Sequence, residues 1–269
     1  MHIPIFQIDA FTTRPFGGNP AAVCVLERWL DDAVLQSIAA ENNLSETAFL
    51  VGGNGRYRLR WFTPTVEVDL CGHATLASAY VVFQEIEPSL REVRFDSRSG
   101  ELRVSREDGL MTLDFPASRG RISDCPDLLA KGLGRSPLEV RRDAMYLCLF
   151  ADEAEIRSMR PDFSALAELD LMGVIVTAPG RTVDFVSRMF APKVGIPEDP
   201  VTGAAHCLLT TYWAERTGKT RFTARQLSSR GGELECELRG ERVLISGRAV
   251  KYLQGEIQLQ FFTEESTIP

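Results

Sequence analysis

Two short segments of this 269-residue chain gather the residue types that proton chemistry uses. Leu70-Cys71-Gly72-His73-Ala74-Thr75 sets an imidazole in a Gly-flanked turn, and histidine can give and take a proton near neutral pH. Glu198-Asp199-Pro200-Val201-Thr202-Gly203-Ala204-Ala205-His206 follows Pro197, so Asp199 sits in a turn stiffened by two prolines. Each segment opens an apolar, helix-like run, Ala74 to Phe83 and Ala205 to Trp213. The first amides of a helix are unpaired and lie at the positive end of its dipole, so both starts suit an anion such as a substrate carboxylate. Glu46 opens a predicted strand after the polar turn Asn42-Asn43-Leu44-Ser45. Burial there would raise a carboxyl pKa toward the range of a general acid/base. Each residue also has a plainer reading. Asp199 could cap its helix, His73 could be a satisfied structural histidine, and Glu46 could be a solvated strand start. His206, three residues inside the second helix, reads as packed. Cys71 is a candidate thiol base, but a symmetric thiol pair needs a second cysteine, and Thr202 occupies the position opposite it.

The two segments belong to copies of one pattern. Arg60, Phe62, Pro64 and Val66 recur as Arg188, Phe190, Pro192 and Val194, 128 residues on, and Val68 is matched by Ile196. The offset slips to 131 at Gly72 and Gly203. Similarity at roughly half the chain length implies two alike lobes rather than a solenoid. Two lobes make a cleft, to which each copy is expected to bring an acid, Asp69 or Asp199, and a helix start.

Strand-like runs dominate the remainder: Ile3 to Phe11, Ala21 to Leu26, Thr47 to Val51, Tyr57 to Phe62, Val93 to Phe95, Leu102 to Val104 and Leu110 to Phe115. After the linker Pro116-Ala117-Ser118-Arg119-Gly120 come Met145 to Phe150, Val174 to Ala178, Asp184 to Phe190, Phe222 to Gln226, Gly232 to Leu238, Arg242 to Ser246 and Glu256 to Phe262. Helical spacing marks Asp31 to Asn42, Thr75 to Gln84 and Pro126 to Leu133. Strands and amphipathic helices do not alternate, which argues against a Rossmann unit. The two apolar helices must be wrapped on all sides, and a curled sheet around each does that. The expected fold is α+β, with lobes 1–117, holding Glu46 and His73, and 118–269, holding Asp199.

Composition narrows the partners. Net charge is −7 and the sequence pI about 5.2, which argues against nucleic acid. No apolar run approaches the ~20 residues of a membrane span, and the N-terminal residues lack the pattern of a secretory signal. The six cysteines are scattered with no Cys-x-x-Cys, so a reducing cytoplasm is the expected location. Phe16-Gly17-Gly18-Asn19-Pro20 lacks the Gly-Lys-Ser/Thr ending of a phosphate loop. Cys71 with His73 is too weak a pattern for a metal site.

Ile8-Asp9-Ala10-Phe11-Thr12 followed by Phe16-Gly17-Gly18-Asn19-Pro20-Ala21-Ala22-Val23 resembles the opening of the PhzF family of phenazine-biosynthesis isomerase-like proteins. Asn43-Leu44-Ser45-Glu46-Thr47, Phe62-Thr63-Pro64, Leu70 to Thr75 and Glu198 to Ala205 resemble it in the same order, over nearly the whole chain. The resemblance implies the diaminopimelate-epimerase-like fold: two pseudo-symmetric lobes, each a mostly antiparallel barrel around a central helix, with the active site between them. It also implies a homodimer and no cofactor; no metal is expected from the ligand spacing, and a small carboxylated substrate is expected from the two helix starts. PhzF itself isomerises trans-2,3-dihydro-3-hydroxyanthranilate by moving a proton. Its catalytic Glu, His and Asp fall on Glu46, His73 and Asp199. Asn19, Ser45, Gly72, Thr202, Gly203 and Ala204 are the expected substrate contacts. An amino-acid racemase or epimerase of this fold, and a non-catalytic small-acid binding protein, are the alternatives. The resemblance does not carry the identity of the substrate.

Overall fold

In Arg56-Tyr57-Arg58-Leu59-Arg60-Trp61-Phe62 the side chains of Tyr57, Leu59 and Trp61 are buried while Arg56 and Arg58 face water. This period of two belongs to a sheet with one wet face. The computed structural model, which describes residues 1–259, joins such strands into one continuous 18-stranded sheet.

The first half runs β1 (His2–Ala10), β2 (Asn19–Leu26), α1 (Asp32–Asn42), β3 (Glu46–Gly53), β4 (Arg56–Phe62), β5 (Glu67–Val68), α2 (Gly72–Val81), β6 (Glu92–Ser97), β7 (Gly100–Glu107) and β8 (Leu110–Pro116). The second runs β9 (Arg121–Ile122), α3 (Asp127–Leu133), β10 (Glu139–Arg142), β11 (Tyr146–Leu149), α4 (Glu153–Ser158), α5 (Phe163–Ala167), β12 (Val174–Pro179), β13 (Phe185–Ala191), β14 (Ile196–Asp199), α6 (Gly203–Thr217), β15 (Arg221–Gln226), β16 (Gly232–Arg239), β17 (Arg242–Gly247) and β18 (Ala249–Gln258).

The pairings repeat. Strands β1-β2-β3-β4-β6-β7-β8 lie side by side in the first lobe, and β10-β11-β12-β13-β15-β16-β17 in the second. The parallel pairs correspond: β2–β3 with β11–β12, and β4–β6 with β13–β15. Parallel neighbours need a crossover; α1, α2 and α6 supply three of these, and α4 with α5 the fourth. Antiparallel pairing of β8 with β17 joins the lobes. The last strand of the second lobe returns to the first. β9, which follows β8, pairs with β10, and β18, which follows β17, pairs with β1. We propose 1–117 and 118–269 as the two units of the chain, with β18 of the second completing the sheet of the first.

The central helices explain why the sheets curl. Ala74, Leu76, Ala77, Ala79 and Val81 of α2 are fully buried, and each such Leu or Val contributes about 1.5–3 kcal/mol of hydrophobic stabilisation. The polar residues of these helices bond back to the preceding turn: Thr75 Oγ1 to Cys71 O (2.6 Å), Ser78 Oγ to Ala74 O (2.7 Å) and Thr210 Oγ1 to His206 O (2.6 Å). They therefore enter the core with their hydroxyls satisfied. The expected helix from Thr75 to Gln84 starts earlier and ends in a wider π turn over Val82–Ile86. The short α4 and α5 were not expected. The expected strand Glu256 to Phe262 is part of β18 as far as Gln258, and residues 260–262 lie outside the described residues.

The repeat holds at the side-chain level, with one correction. Arg60 forks onto Glu67 with two 2.7 Å bonds, and Arg188 onto Glu198 with bonds of 2.7 and 2.9 Å. Bidentate pairs of this kind fix geometry as well as energy; here each pins the strand that feeds a central helix. Val68 lies opposite Trp61, and Asp199 opposite Met189. The counterpart of Asp199 is thus Val68, not Asp69, whose side chain is 75% exposed. The reason is that all three extra residues of the second copy fall before Glu198, whereas pairing Asp69 with Asp199 leaves one of them after Asp199.

Candidate active site

Helices α2 and α6 meet at their N-termini. A Cβ on Gly72 would stand 3.4 Å from Gly203 Cα, and one on Gly203 3.5 Å from Gly72 Cα. Cys71 caps α2 and Thr202 caps α6, and neither side chain accepts a hydrogen bond from its own helix. The two helix starts therefore present unpaired amides to one place between the lobes.

Glu46, His73 and Asp199 converge there. Glu46 begins β3, one strand over from Ala21 of β2, and His73 lies in the first turn of α2. Their side chains meet with Glu46 Oε2 3.1 Å from His73 Nε2. The contact lies off the hydrogen-bond line, so Oε2 keeps a lone pair without a donor. Asn19, at the start of β2 and fully buried, ties this pair to the other lobe. Its Nδ2 donates to Asp199 Oδ1 (2.8 Å) and Val201 O (2.9 Å) and lies 3.1 Å from His73 Nδ1. The Thr202 hydroxyl donates to Asp199 Oδ2. Gln226, at the end of β15, donates to Asp199 O (2.7 Å) and accepts from Thr202 N (2.9 Å).

Burial and charge set the protonation states. Burial alone would lower the pKa of His73; the sulfur of Cys71 and the carboxylate of Glu46 oppose it and hold the imidazole well above 6.5. Burial pushes the Cys71 thiol up to about 11. The sulfur is therefore neutral near pH 7, which leaves Glu46 as the charge that favours the imidazolium. Burial also raises the Asp199 carboxyl, against the opposing influence of His73. His206 is different: burial pushes it down to about 4, and its Nδ1 bonds Thr202 O at 2.8 Å. It is a neutral packed histidine, stacked on Phe185.

The remaining expected residues take varied places. Ser45 and Thr202 are half-buried, Gly72 is partly exposed at the α2 start, Gly203 is buried and Ala204 is exposed. Cys71 Sγ lies 3.5 Å from His73 Nδ1, a contact that residue spacing alone did not suggest. Glu46, Cys71 and His73 offer ligand atoms within 4.8 Å of one another, the donor types of a zinc site. The sequence pattern showed only two of these donors, because Glu46 comes from a different strand. A cation here would have to remove the proton from the raised thiol and part His73 from Glu46. Gln226 and the Asp9–Arg230 pair were also missed. Asp9 could have been noticed as an acid between Ile8 and Ala10 in an otherwise apolar stretch.

The fold has close counterparts among known proteins. The family model described as "Phenazine biosynthesis-like protein" (PhzC-PhzF) matches residues 8–255. An uncharacterised isomerase of Pseudomonas aeruginosa is 54% identical over 259 residues, covering 96% of this chain and 100% of the relative. A PhzF-family crystal structure from Enterococcus faecalis superposes with a TM-score of 0.94 at 47% identity, over 96% of this chain and 100% of that one. The fold extends further: a probable proline racemase of Agrobacterium radiobacter matches with a TM-score of 0.67 at 13% identity, over 97% of this chain and 94% of that one.

Proposed function

The chain belongs to the phenazine biosynthesis-like (PhzC-PhzF) family of isomerases, and we propose that it moves a proton within a small carboxylated substrate held between its lobes, without a cofactor. The observation that carries this reading is the buried Glu46–His73 pair beside two helix starts that share one space. Glu46 Oε2 takes a proton from substrate carbon and returns it at a second position. The electron pair left on the substrate delocalises toward its carboxylate. The amides near Gly72 and Gly203 and the His73 imidazolium stabilise that developing charge. Asp199, on the opposite lobe, is a group through which that same proton can be relayed between the two positions. Asn19, Ser45, Thr202 and Ala204 complete the proposed contact surface. Asn19 Oδ1 is buried without a partner, so a substrate hydroxyl or amine beside the carboxylate would satisfy it. Closure of the lobes excludes water and strengthens these interactions.

A second reading, an epimerase that uses Glu46 and Asp199 as bases on opposite faces, draws support from the approach of these acids from different lobes. We further propose a homodimer in the cytoplasm; no disulfide links the six cysteines, and no helix among the described residues is long and apolar enough to cross a membrane.

The test is NMR in D₂O with trans-2,3-dihydro-3-hydroxyanthranilate and a panel of amino and hydroxy acids. Isomerisation with deuterium entering at carbon supports the proposal, and deuterium at an inverted α-carbon supports the epimerase. Binding shifts with no exchange, from a substrate that saturates the protein, would replace both with a binding role.

A further inference from the structure

The residues between β1 and β2 form a strap that leaves the first lobe and lies on the second. Phe11 O accepts from Glu233 N (3.0 Å), Thr12 N donates to Arg248 O (3.0 Å), and Gly18 N donates to Gly231 O (2.8 Å). The strap carries left-handed backbone at Phe11 (φ 62°), Phe16 (φ 69°) and Gly18 (φ 62°). Non-glycine residues hold such conformations only where their surroundings enforce them.

The enforcing contact is Arg230, on the loop between β15 and β16 of the second lobe. Its Nη2 bonds Asp9 Oδ1 at 2.7 Å and Gly17 O at 3.0 Å, and its Nε bonds Gly18 O at 2.9 Å. Asp9 is almost fully buried, and its other oxygen accepts from Phe16 N at 2.9 Å. A buried carboxylate and a guanidinium thus hold both ends of the Phe16-Gly17-Gly18 turn. The next residue is Asn19, whose Nδ2 reaches Asp199, Val201 and His73.

We propose that Arg230 is a positioning residue: through Asp9 and the glycine carbonyls it sets Asn19, and through Asn19 it sets His73 against Asp199. Docking of the strap on the second lobe and assembly of the proton-transfer site are then one event. Arg230 touches no reacting atom. Its kinetic role rests on the function proposed above, whereas its structural role can be read without a substrate.

The experiment compares wild type with Arg230→Met and Arg230→Lys in ¹⁵N-labelled full-length chain. The His73 ring nitrogens are observed at one fixed pH, together with amide exchange at residues 16–19. In Arg230→Met the Phe16 and Gly18 amides should exchange at least about tenfold faster, the expected sign of local opening. The His73 Nδ1 signal should move as Asn19 withdraws, and deuterium transfer to substrate should fall at least about tenfold. Arg230→Lys keeps the charge and one bond and should recover part of each change. If Arg230→Met does not fold, the Asp9→Asn/Arg230→Gln double variant, which leaves no unpaired buried charge, takes its place. A folded variant whose His73 nitrogens coincide with wild type overturns the proposal. Absence of deuterium transfer in the wild type itself overturns the functional reading alone, because the His73 signals still decide the role of Arg230.

Discussion

Glu46→Gln removes one charge from a buried pair while keeping the shape of the side chain. Glu46 Oε2 and His73 Nε2 are 3.1 Å apart, with side chains 12% and 5% exposed, so water screens them little. Opposite charges at about 4 Å attract by ~4 kcal/mol at an effective dielectric of ~20. Moving an imidazole by one pKa unit takes about 1.4 kcal/mol. The Glu46 charge is thus a substantial part of what opposes burial, which by itself lowers His73, beside the Cys71 sulfur. In the wild type the imidazolium persists above pH 6.5; in Glu46→Gln burial is less opposed, and the His73 midpoint should fall below the ordinary 6.5. The consequences for stability have opposite signs. A raised folded pKa gives the wild type stability that is fully present below the unfolded value near 6.5 and is lost as pH rises through the folded value. A depressed folded pKa makes the variant lose stability as pH falls through about 6.5. The gap between the two proteins should thus be widest in mildly acidic solution and narrow in alkaline solution. A ¹⁵N titration of the His73 ring, with urea unfolding at about pH 6 and pH 9, measures both effects. Turnover should fall by ~10²–10⁴ as general acid/base help is lost. A His73 midpoint that ignores the substitution, or a stability gap that is flat across this range, refutes the reasoning.

Other substitutions probe other parts of the argument. Cys71→Ser should keep most turnover, because the thiol, raised to about 11, is neutral near pH 7; loss of deuterium transfer in a folded Cys71→Ser protein would make the sulfur a base. Arg188→Ala leaves Glu198 without its forked partner and should cost about 3–5 kcal/mol in urea unfolding; a change no larger than that of an exposed pair would remove it from the support of Asp199. Gly18→Ala forces a Cβ to 2.0 Å from Ala10 O at φ +62°. It should lower stability by about 1–3 kcal/mol, and an unchanged Tm would show that the strap relaxes freely.

What sequence reading recovered follows from the range of the interactions. The helix starts at Gly72 and Gly203 were legible because glycine, proline and apolar periodicity act over a few residues. Glu46, His73 and Asp199 were legible as candidates through motif resemblance. Their mutual geometry was not, since Glu46 and His73 meet across a parallel strand crossover and a helix. The length of the second repeat misled: matching Asp69 to Asp199 left one residue of the three-residue slip after the strand. Helices α4 and α5 span six and five residues, too short for a 3.6-residue period to stand out. Arg230 could not be placed beside Asp9 from spacing, because the contact spans 221 residues.

The return of β18 to β1 also sets an order for folding. Of the described strands β1 is synthesised first, yet its outer partner β18 is synthesised last, with His2 opposite Gln258. The N-terminal half can curl around α2 as it leaves the ribosome, but one edge of its sheet stays open until the second half has been made. The other edge, β8, waits for β17. Exposed edges invite pairing with other chains, and contacts of such long range form late. The interval between the two halves is therefore when the nascent chain is most open to misassembly, and when a chaperone that covers strand edges would have the greatest effect.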